Sequence, residues 1–483
     1  MFFRVGKNDL KVIFNYIGLL LMWSSLAFIL PLIIVLIYNE PKQNFLAYLF
    51  CFIITIIVGY LIKTQINPEN KQISFSVIHA TLVAVIFWIL FNILTSLPFM
   101  LIENMSFINS FFESISATTT TGLSVIHNFA PISHSILMWR SLLSWFGGLG
   151  VVLLALLGVL TTAKNFGLLA KAEGHDSLAT PNLKKTVFLF WYIYISITAL
   201  GALALTFFGM KLFYAINYAM SAISTTGMES SNIGLMSNGL GVQIIIAFLM
   251  VFGATSFITH YLAMKKKSIK EYFRDYEFIF LISLTFFGSV LLAIKLNLFD
   301  ILGIISSIIT AASAATGGGF PSVPQATIAL WGEFLLIITI FLMFIGGSTA
   351  STAGGIKIHR FVLFLKTISW KTKELFLPKK AYFSKKFHTR LVNDEEIKNN
   401  LFFIGIYLLF VIITATILTL YGFSFIKSLF ETMSAQSNVG LSVGITTATL
   451  PLFPKILLIF NMIIGRLEII PIFALFGLFL KLR

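Results

Sequence analysis

Long apolar runs separated by short polar connections follow one another along the whole chain. They cover Val12 to Tyr38, Phe45 to Ile62, Ile78 to Ile102, Leu137 to Val159, Val187 to Phe208, Val242 to Met264, Phe278 to Ile294, Ile328 to Ile345, Leu401 to Leu420 and Ile456 to Leu480. Each is close to the roughly 20 residues that carry a helix across the hydrocarbon core of a bilayer. The pattern predicts an all-α integral membrane protein with ten transmembrane helices. The first run is too long for the core of a secretory leader and reaches Asn39 and Glu40 without a small-residue cleavage site, so it reads as a retained span.

A second pattern begins after the first two spans. Four times, span, short amphipathic run, Ser/Thr-rich stretch and glycine are followed by another span. The stretches are Ser116-Ala-Thr-Thr-Thr-Thr-Gly122, Ser221-Ala-Ile-Ser-Thr-Thr-Gly227, Ser313-Ala-Ala-Thr-Gly-Gly-Gly319 and Ser434-Ala-Gln-Ser-Asn-Val-Gly440. In all four a serine stands six residues before the glycine. Copies spaced about 90 to 120 residues apart imply four equivalent units, which suits a closed arrangement around one axis. The division expected is a helix pair over 1–72 and pore repeats over 73–175, 176–270, 271–390 and 391–483. The run before each glycine, such as Ile108 to Thr118 or Phe425 to Gln436, is too short to cross and predicts a re-entrant half-helix. Non-helical backbone at that depth is tolerated only in protein or beside water, which puts the stretches at a hydrated axis.

Such stretches suit a dehydrated cation. Backbone carbonyls replace its water ligands without fixed charge, and glycine supplies the positive φ that turns them inward. Half-helices whose negative ends meet the cavity favour the same ion. The candidate ion ligands are Thr120, Thr121, Gly122, Thr225, Thr226, Gly227, Gly317, Gly318, Gly319, Asn438, Val439 and Gly440. A secondary transporter with broken helices also places glycines at the midplane, but usually with two repeats. An intramembrane hydrolase needs a base beside its nucleophile, and the histidines nearest the filter serines, His127 and His134, fall in a loop.

Composition narrows the class further. The chain is 58% hydrophobic and 11% charged, with a formal net charge of +15. With the N-terminus inside, about 27 of the 34 Lys and Arg fall in the two termini and the even-numbered connections, the positive-inside pattern. Both termini are therefore expected in the cytoplasm. The cluster Lys265, Lys266, Lys267, Lys270 and Arg274 and the segment from Lys357 to Lys398 are expected to meet anionic lipid or a cytosolic protein rather than nucleic acid. The single cysteine, Cys51, excludes a disulfide, and seven scattered histidines show no metal-ligand spacing. No enzyme activity and no cofactor are expected.

Two features stand apart from the filter. Gly346-Gly-Ser-Thr-Ala-Ser-Thr-Ala-Gly-Gly355 interrupts an apolar stretch with ten small residues, which reads as a hinge or gate, or as close helix packing. Gly346, Gly347, Gly354 and Gly355 are its candidate hinge residues. Arg466 lies within the last span, where a charge demands a partner or water. It reads as an electrostatic barrier below a cation pore or as one half of a structural ion pair. Glu113 and Glu431 stand nine residues before the glycine in repeats one and four, where Tyr218 and Thr310 stand in the others. Steering cations and bonding to half-helix amides are both open to them.

In these motifs the chain resembles the TrkH/TrkG potassium-uptake subunits of the Trk/Ktr/HKT superfamily. The resemblance covers the whole length. It rests on the four filter stretches, on Met138-Trp-Arg-Ser-Leu-Leu-Ser-Trp-Phe-Gly147-Gly148-Leu-Gly150, on Phe344 to Lys357 and on Gly465-Arg466-Leu-Glu468. The two extra N-terminal spans match the Trk branch. The resemblance implies potassium uptake across an inner membrane by a homodimer with one pore per protomer, resting on a TrkA-like cytosolic nucleotide-binding ring. It also implies a gate loop at Gly346 to Gly355 beneath the filter with Arg466 beside it. Family members with serine at the first filter glycine pass sodium; glycine at all four positions resembles the potassium-selective type. Gly317-Gly318, where threonines are usual, and Ala350-Ser-Thr-Ala353 depart from the family pattern.

Overall fold

The computed structural model describes residues 7–64, 77–150, 183–231, 235, 238–298, 300–321, 323, 325–378, 384–387 and 390–467. Glu468, the end of the fourth expected span and the end of the last one lie outside the described residues. So does most of the fourth connection.

The chain opens with α1 (Lys7–Ser24), a 3-10 turn (Ser25–Phe28) and α2 (Ile29–Ile37), then α3 (Lys42–Thr64). The first expected repeat comprises α4 (Val77–Glu103), α5 (Phe107–Thr118) and α6 (His134–Leu149). The second comprises α7 (Leu183–Phe207), α8 (Leu212–Ile223), α9 (Leu240–Ala254) and α10 (Phe257–Lys266), followed by a 3-10 turn (Ile269–Arg274). The third contains α11 (Tyr276–Leu296), α12 (Ile301–Thr316), the short α13 (Gln325–Ile328), α14 (Glu333–Ile345) and α15 (Ile358–Leu375). A two-residue-per-strand hairpin, β1 (Lys386–Phe387) against β2 (Arg390–Leu391), leads to α16 (Asp394–Thr419), α17 (Phe425–Gln436) and α18 (Leu452–Leu467). This hairpin is the one departure from the all-α expectation among the described residues. It is fastened to α15 by a small apolar cluster of Leu363, Trp370, Phe387, Val392 and Ile397.

Among the described residues, six segments are long and apolar enough to span, or seven if the bent pair α9–α10 counts as one. The helical segments expected to dip and return are short: α5, α8 and α17 have 12 residues and α12 has 16. At ~1.5 Å per residue, a 12-residue helix reaches only about 18 Å. The expected continuous span Val242 to Met264 is instead broken, α9 and α10 meeting at 101°. The cause is local. The Ala254 carbonyl accepts the N–H of Ser348, the Gly253 carbonyl accepts that of Thr352, and the N–H of Phe257 goes to Ala350. Bonds that would continue the helix are spent on a neighbouring loop.

The apolar cores lie between adjacent repeats. One joins α1–α4 to α6 and α7, another joins the third and fourth repeats to the first, and a smaller one joins the second to the third. Phe28 stacks on Trp139 at 4.7 Å, and the Trp139 indole donates to the Thr95 carbonyl at 3.1 Å, seating the N-terminal helices on the first repeat. The outward faces are apolar too: Leu200, Leu203, Phe207 and Phe286 are all well exposed. Helices apolar within and without belong in lipid.

Candidate ion pathway

Polar side chains on the outer helices hold the short helices in place. The Asn92 side-chain oxygen on α4 accepts from Ser114 at 3.0 Å and Thr118 at 2.7 Å on α5. On the fourth repeat, Tyr407 shares a 2.8 Å bond with Ser437, and Gln436 donates to the Tyr407 carbonyl. Such bonds between helices fix depth and rotation where apolar packing alone is slippery.

The end of each short helix then turns in the same way. The carbonyls of Ser116, Ser221 and Ser434 accept the N–H groups of Thr121, Thr226 and Val439 at 2.8, 3.0 and 2.9 Å. In the third repeat, the Ser313 carbonyl takes the N–H of Gly319 at 3.5 Å. The serine six places before each glycine closes the turn through its backbone carbonyl. Two positive-φ residues, two apart, follow in every repeat: Thr120 and Gly122, Thr225 and Gly227, Gly317 and Gly319, Asn438 and Gly440. Threonine in the left-handed region is strained, and such strain collects at functional sites. The unusual Gly317 is now explained. It occupies the left-handed position that Thr120, Thr225 and Asn438 hold at a conformational cost.

The four glycines close a ring. A Cβ on Gly122 would collide with the Thr226 carbonyl, one on Gly227 with the Gly318 carbonyl, one on Gly319 with the Val439 carbonyl and one on Gly440 with the Thr121 carbonyl. Each repeat thus touches the next and the fourth returns to the first. Thr121, Thr226 and Val439 are fully buried, and Gly318 is buried. None of the four carbonyls accepts a hydrogen bond among the described residues. Buried carbonyls are nearly always paired, so four unpaired ones in one ring call for a ligand. No cluster of His, Cys, Asp and Glu able to hold a metal ion exists among the described residues.

Beside the ring lies the expected gate. The segment is not a disturbed helix: α14 stops at Ile345 and the chain runs as a buried loop to α15. Its ends meet, since a Cβ on Gly355 would stand 2.8 Å from Gly346 Cα and one on Gly346 would strike the Gly354 carbonyl. The loop abuts three of the four left-handed positions. Thr352 Oγ1 lies 3.2 Å from Thr225 Oγ1 and donates to the Ile223 carbonyl at 2.9 Å. Gly354 packs against Asn438, and its nitrogen is 3.7 Å from where a Gly317 Cβ would stand. Gly347 packs against Ala254 and Ala353. The fourth position, Thr120, is met by Arg466, whose Nη1 donates to it at 3.4 Å and to the Thr352 carbonyl at 2.8 Å. Nη2 donates to the carbonyls of Gly147 and Gly148 at the end of α6.

The two matched carboxylates take neither half-helix amides nor open water. Glu113 accepts from the Ser124 hydroxyl and Val125 N–H at 2.6 Å each, and Glu431 from Ser442, Val443 N–H and Thr446 N–H at 2.8, 3.0 and 3.0 Å. They bind the stretches that follow Gly122 and Gly440. Sequence reading missed Arg140, which is 1% exposed and reaches Glu113 at 3.1 Å, Ser124 at 3.0 Å and the Glu229 carbonyl at 3.0 Å. The available signal was a lone arginine in an apolar run. Glu229 stands at the place of Ser124 and Ser442, two residues past its glycine.

The chain is similar to proteins named for cation and potassium transport. The sequence profile of the TrkH family, described as cation transport protein, matches residues 42–480. A protein described as an uncharacterized cation transporter from Methanocaldococcus jannaschii is 33% identical over 98% of this chain and 97% of its own length. The Trk system potassium uptake protein TrkG of Escherichia coli is 28% identical, over 98% of this chain and 99% of its length. The crystal structure of the potassium transporter TrkH from Vibrio parahaemolyticus superposes with a TM-score of 0.82 at 26% identity, covering 96% of this chain and 98% of that one. With repeated apolar helices and a profile match over most of its length, the chain is a multi-pass membrane protein that belongs to the TrkH family of cation transport proteins, and is not an enzyme.

Proposed function

We propose that this protein takes up potassium through the ring formed at Gly122, Gly227, Gly319 and Gly440. The observation that carries the reading is the set of unpaired buried carbonyls at Thr121, Thr226, Gly318 and Val439. Neutral carbonyl ligands suit a large monovalent cation, whereas a divalent ion calls for carboxylates. Thr120, Thr225, Gly317 and Asn438 add the next layer. Relatives named for potassium uptake support the choice of ion.

The loop from Gly346 to Gly355 is the gate in this reading, hinged where Gly346 and Gly355 meet, and Arg466 is a positive barrier bonded to it. The full fold is ten spans with four pore repeats bounded near residues 73, 176, 271 and 391, in the inner membrane with both termini cytoplasmic. The protein works as a homodimer on a TrkA-like nucleotide-binding ring docked to the basic cytoplasmic face around Lys265 to Arg274 and Lys357 to Lys398. The positive-inside charge distribution supports that orientation. Purified chain alone in potassium-free vesicles tests the core of this reading. Potassium entry down its gradient, with much slower sodium entry, is expected; no cation flux, or equal flux of both ions, overturns it.

A further inference from the structure

The loop beside the ring is held from a second side. Glu277, in the first turn of α11, accepts the backbone N–H of Thr349 at 2.5 Å and the Thr349 hydroxyl at 2.7 Å. Two donors from one residue on a single carboxylate fix the position and the rotation of the loop together. The grip falls at the loop's closest approach to the α9–α10 break. Ser348, one residue earlier, bonds to Ala254, and Ala350, one residue later, has φ 54° and takes the N–H of Phe257.

The carboxylate is also wired outward. Tyr276 donates its hydroxyl proton to Glu277 at 3.3 Å and lies 2.7 Å from His359 Nδ1, so that nitrogen carries the proton donated to the tyrosine oxygen. His359 Nε2 is then the acceptor, and Arg390 Nη2 lies 3.3 Å from it. Arg390 belongs to β2 of the hairpin and also holds Glu396 at 2.6 Å. Every donor in this chain points towards Glu277, and bonds aligned in that way polarise one another. A cavity of about 770 Å³ runs alongside, lined by Ser256, Thr349, His359 and Arg390 among others, which leaves room for both loop and hairpin to move.

We propose that Glu277 is a positioning residue of the gate: it latches the closed loop through Thr349, and Tyr276 and His359 tie the latch to the hairpin that carries Arg390. The proposal rests on the reading of the loop as a gate. Displacing the hairpin releases the donors that orient the carboxylate and leaves Glu277 free to turn away from Thr349.

Single-channel recording of the purified full chain in planar bilayers tests it, with Glu277→Gln, Thr349→Val, Tyr276→Phe and the Tyr276→Phe/Glu277→Gln pair. Glu277→Gln is expected to raise the open-to-closed ratio by about tenfold or more, as loss of a charged hydrogen-bond acceptor implies, and Thr349→Val by less. Conductance and reversal potential should stay at wild-type values, because the ring is untouched. The double variant should match Glu277→Gln alone. Thr349→Val keeps the loop backbone and shape, so it decides the matter if Glu277→Gln fails to fold. Wild-type open probability in both Glu277→Gln and Thr349→Val, or a Tyr276→Phe/Glu277→Gln double variant whose effects multiply, overturns the latch while leaving potassium conduction intact. A wild-type protein that passes no potassium removes the proposed function, and the latch with it.

Discussion

Arg466 donates to the carbonyl of Thr352 at 2.8 Å, joining the last helix of the fourth repeat to the middle of the loop in the third. The same guanidinium reaches Thr120 and the end of α6. One side chain thus touches the loop, one of the four left-handed positions and a helix terminus whose carbonyls favour a cation.

Arg466→Ala is expected to raise potassium flux, because it removes both a positive charge and the loop's anchor. At an effective dielectric of ~20, a unit charge about 4 Å from the ion path costs on the order of 4 kcal/mol before screening. Arg466→Lys keeps the charge but not the fork that serves several acceptors at once, so its flux should fall between the two. Vesicle flux on both variants checks this; wild-type rates in a folded Arg466→Ala protein would remove the barrier.

The ring separates two neighbouring glycines. A Cβ on Gly317 meets nothing closer than the Asn438 carbonyl at 3.4 Å, so Gly317→Ala should keep selectivity and lose only the ~1 kcal/mol that a left-handed L-residue costs. A Cβ on Gly319 meets the Val439 carbonyl and, at 2.7 Å, that of Thr226. Gly319→Ala should therefore lose selectivity. Reversal potentials and melting curves of the two variants, compared side by side, read the difference.

Arg140 and Glu113 form a buried pair at 3.1 Å, with side chains 2% and 0% exposed. Removing one partner leaves a charge stranded, which typically costs about 3–5 kcal/mol. Arg140→Leu should lower the melting temperature in detergent far more than Lys427→Ala, a change outside this network. Equal melting temperatures would show that the pair adds nothing.

The apolar helices, the short helices and the positive-φ glycines that end the Ser/Thr stretches were legible because each is a local pattern: an apolar run, a serine, a glycine. Gly346 to Gly355 was also visible, as small residues where a helix was expected. What the pattern hid was non-local. The α9–α10 break depends on bonds from Ser348 and Thr352, about a hundred residues away in sequence, and Gly253 to Ser256 alone reads as helix. Arg140 and Glu277 escaped for the same reason: the partners of Arg140 are a carboxylate, a hydroxyl and a carbonyl on other segments, and those of Glu277 are the amide and hydroxyl of Thr349, none of which a spacing rule identifies. Glu113 and Glu431 were noticed through their matched positions, but the stretch they bind became clear only from the fold.

The central claim is that ring carbonyls, held in place by glycines without side chains, select potassium. Gly122→Ser puts a Cβ into the Thr226 carbonyl and restricts a residue at φ 84°. The direct measurement is the bi-ionic reversal potential, potassium on one side and sodium on the other, for wild type and Gly122→Ser in reconstituted membranes. The account predicts a strongly potassium-selective wild type and a variant shifted towards zero; an unchanged potential in a folded, conducting variant would contradict it.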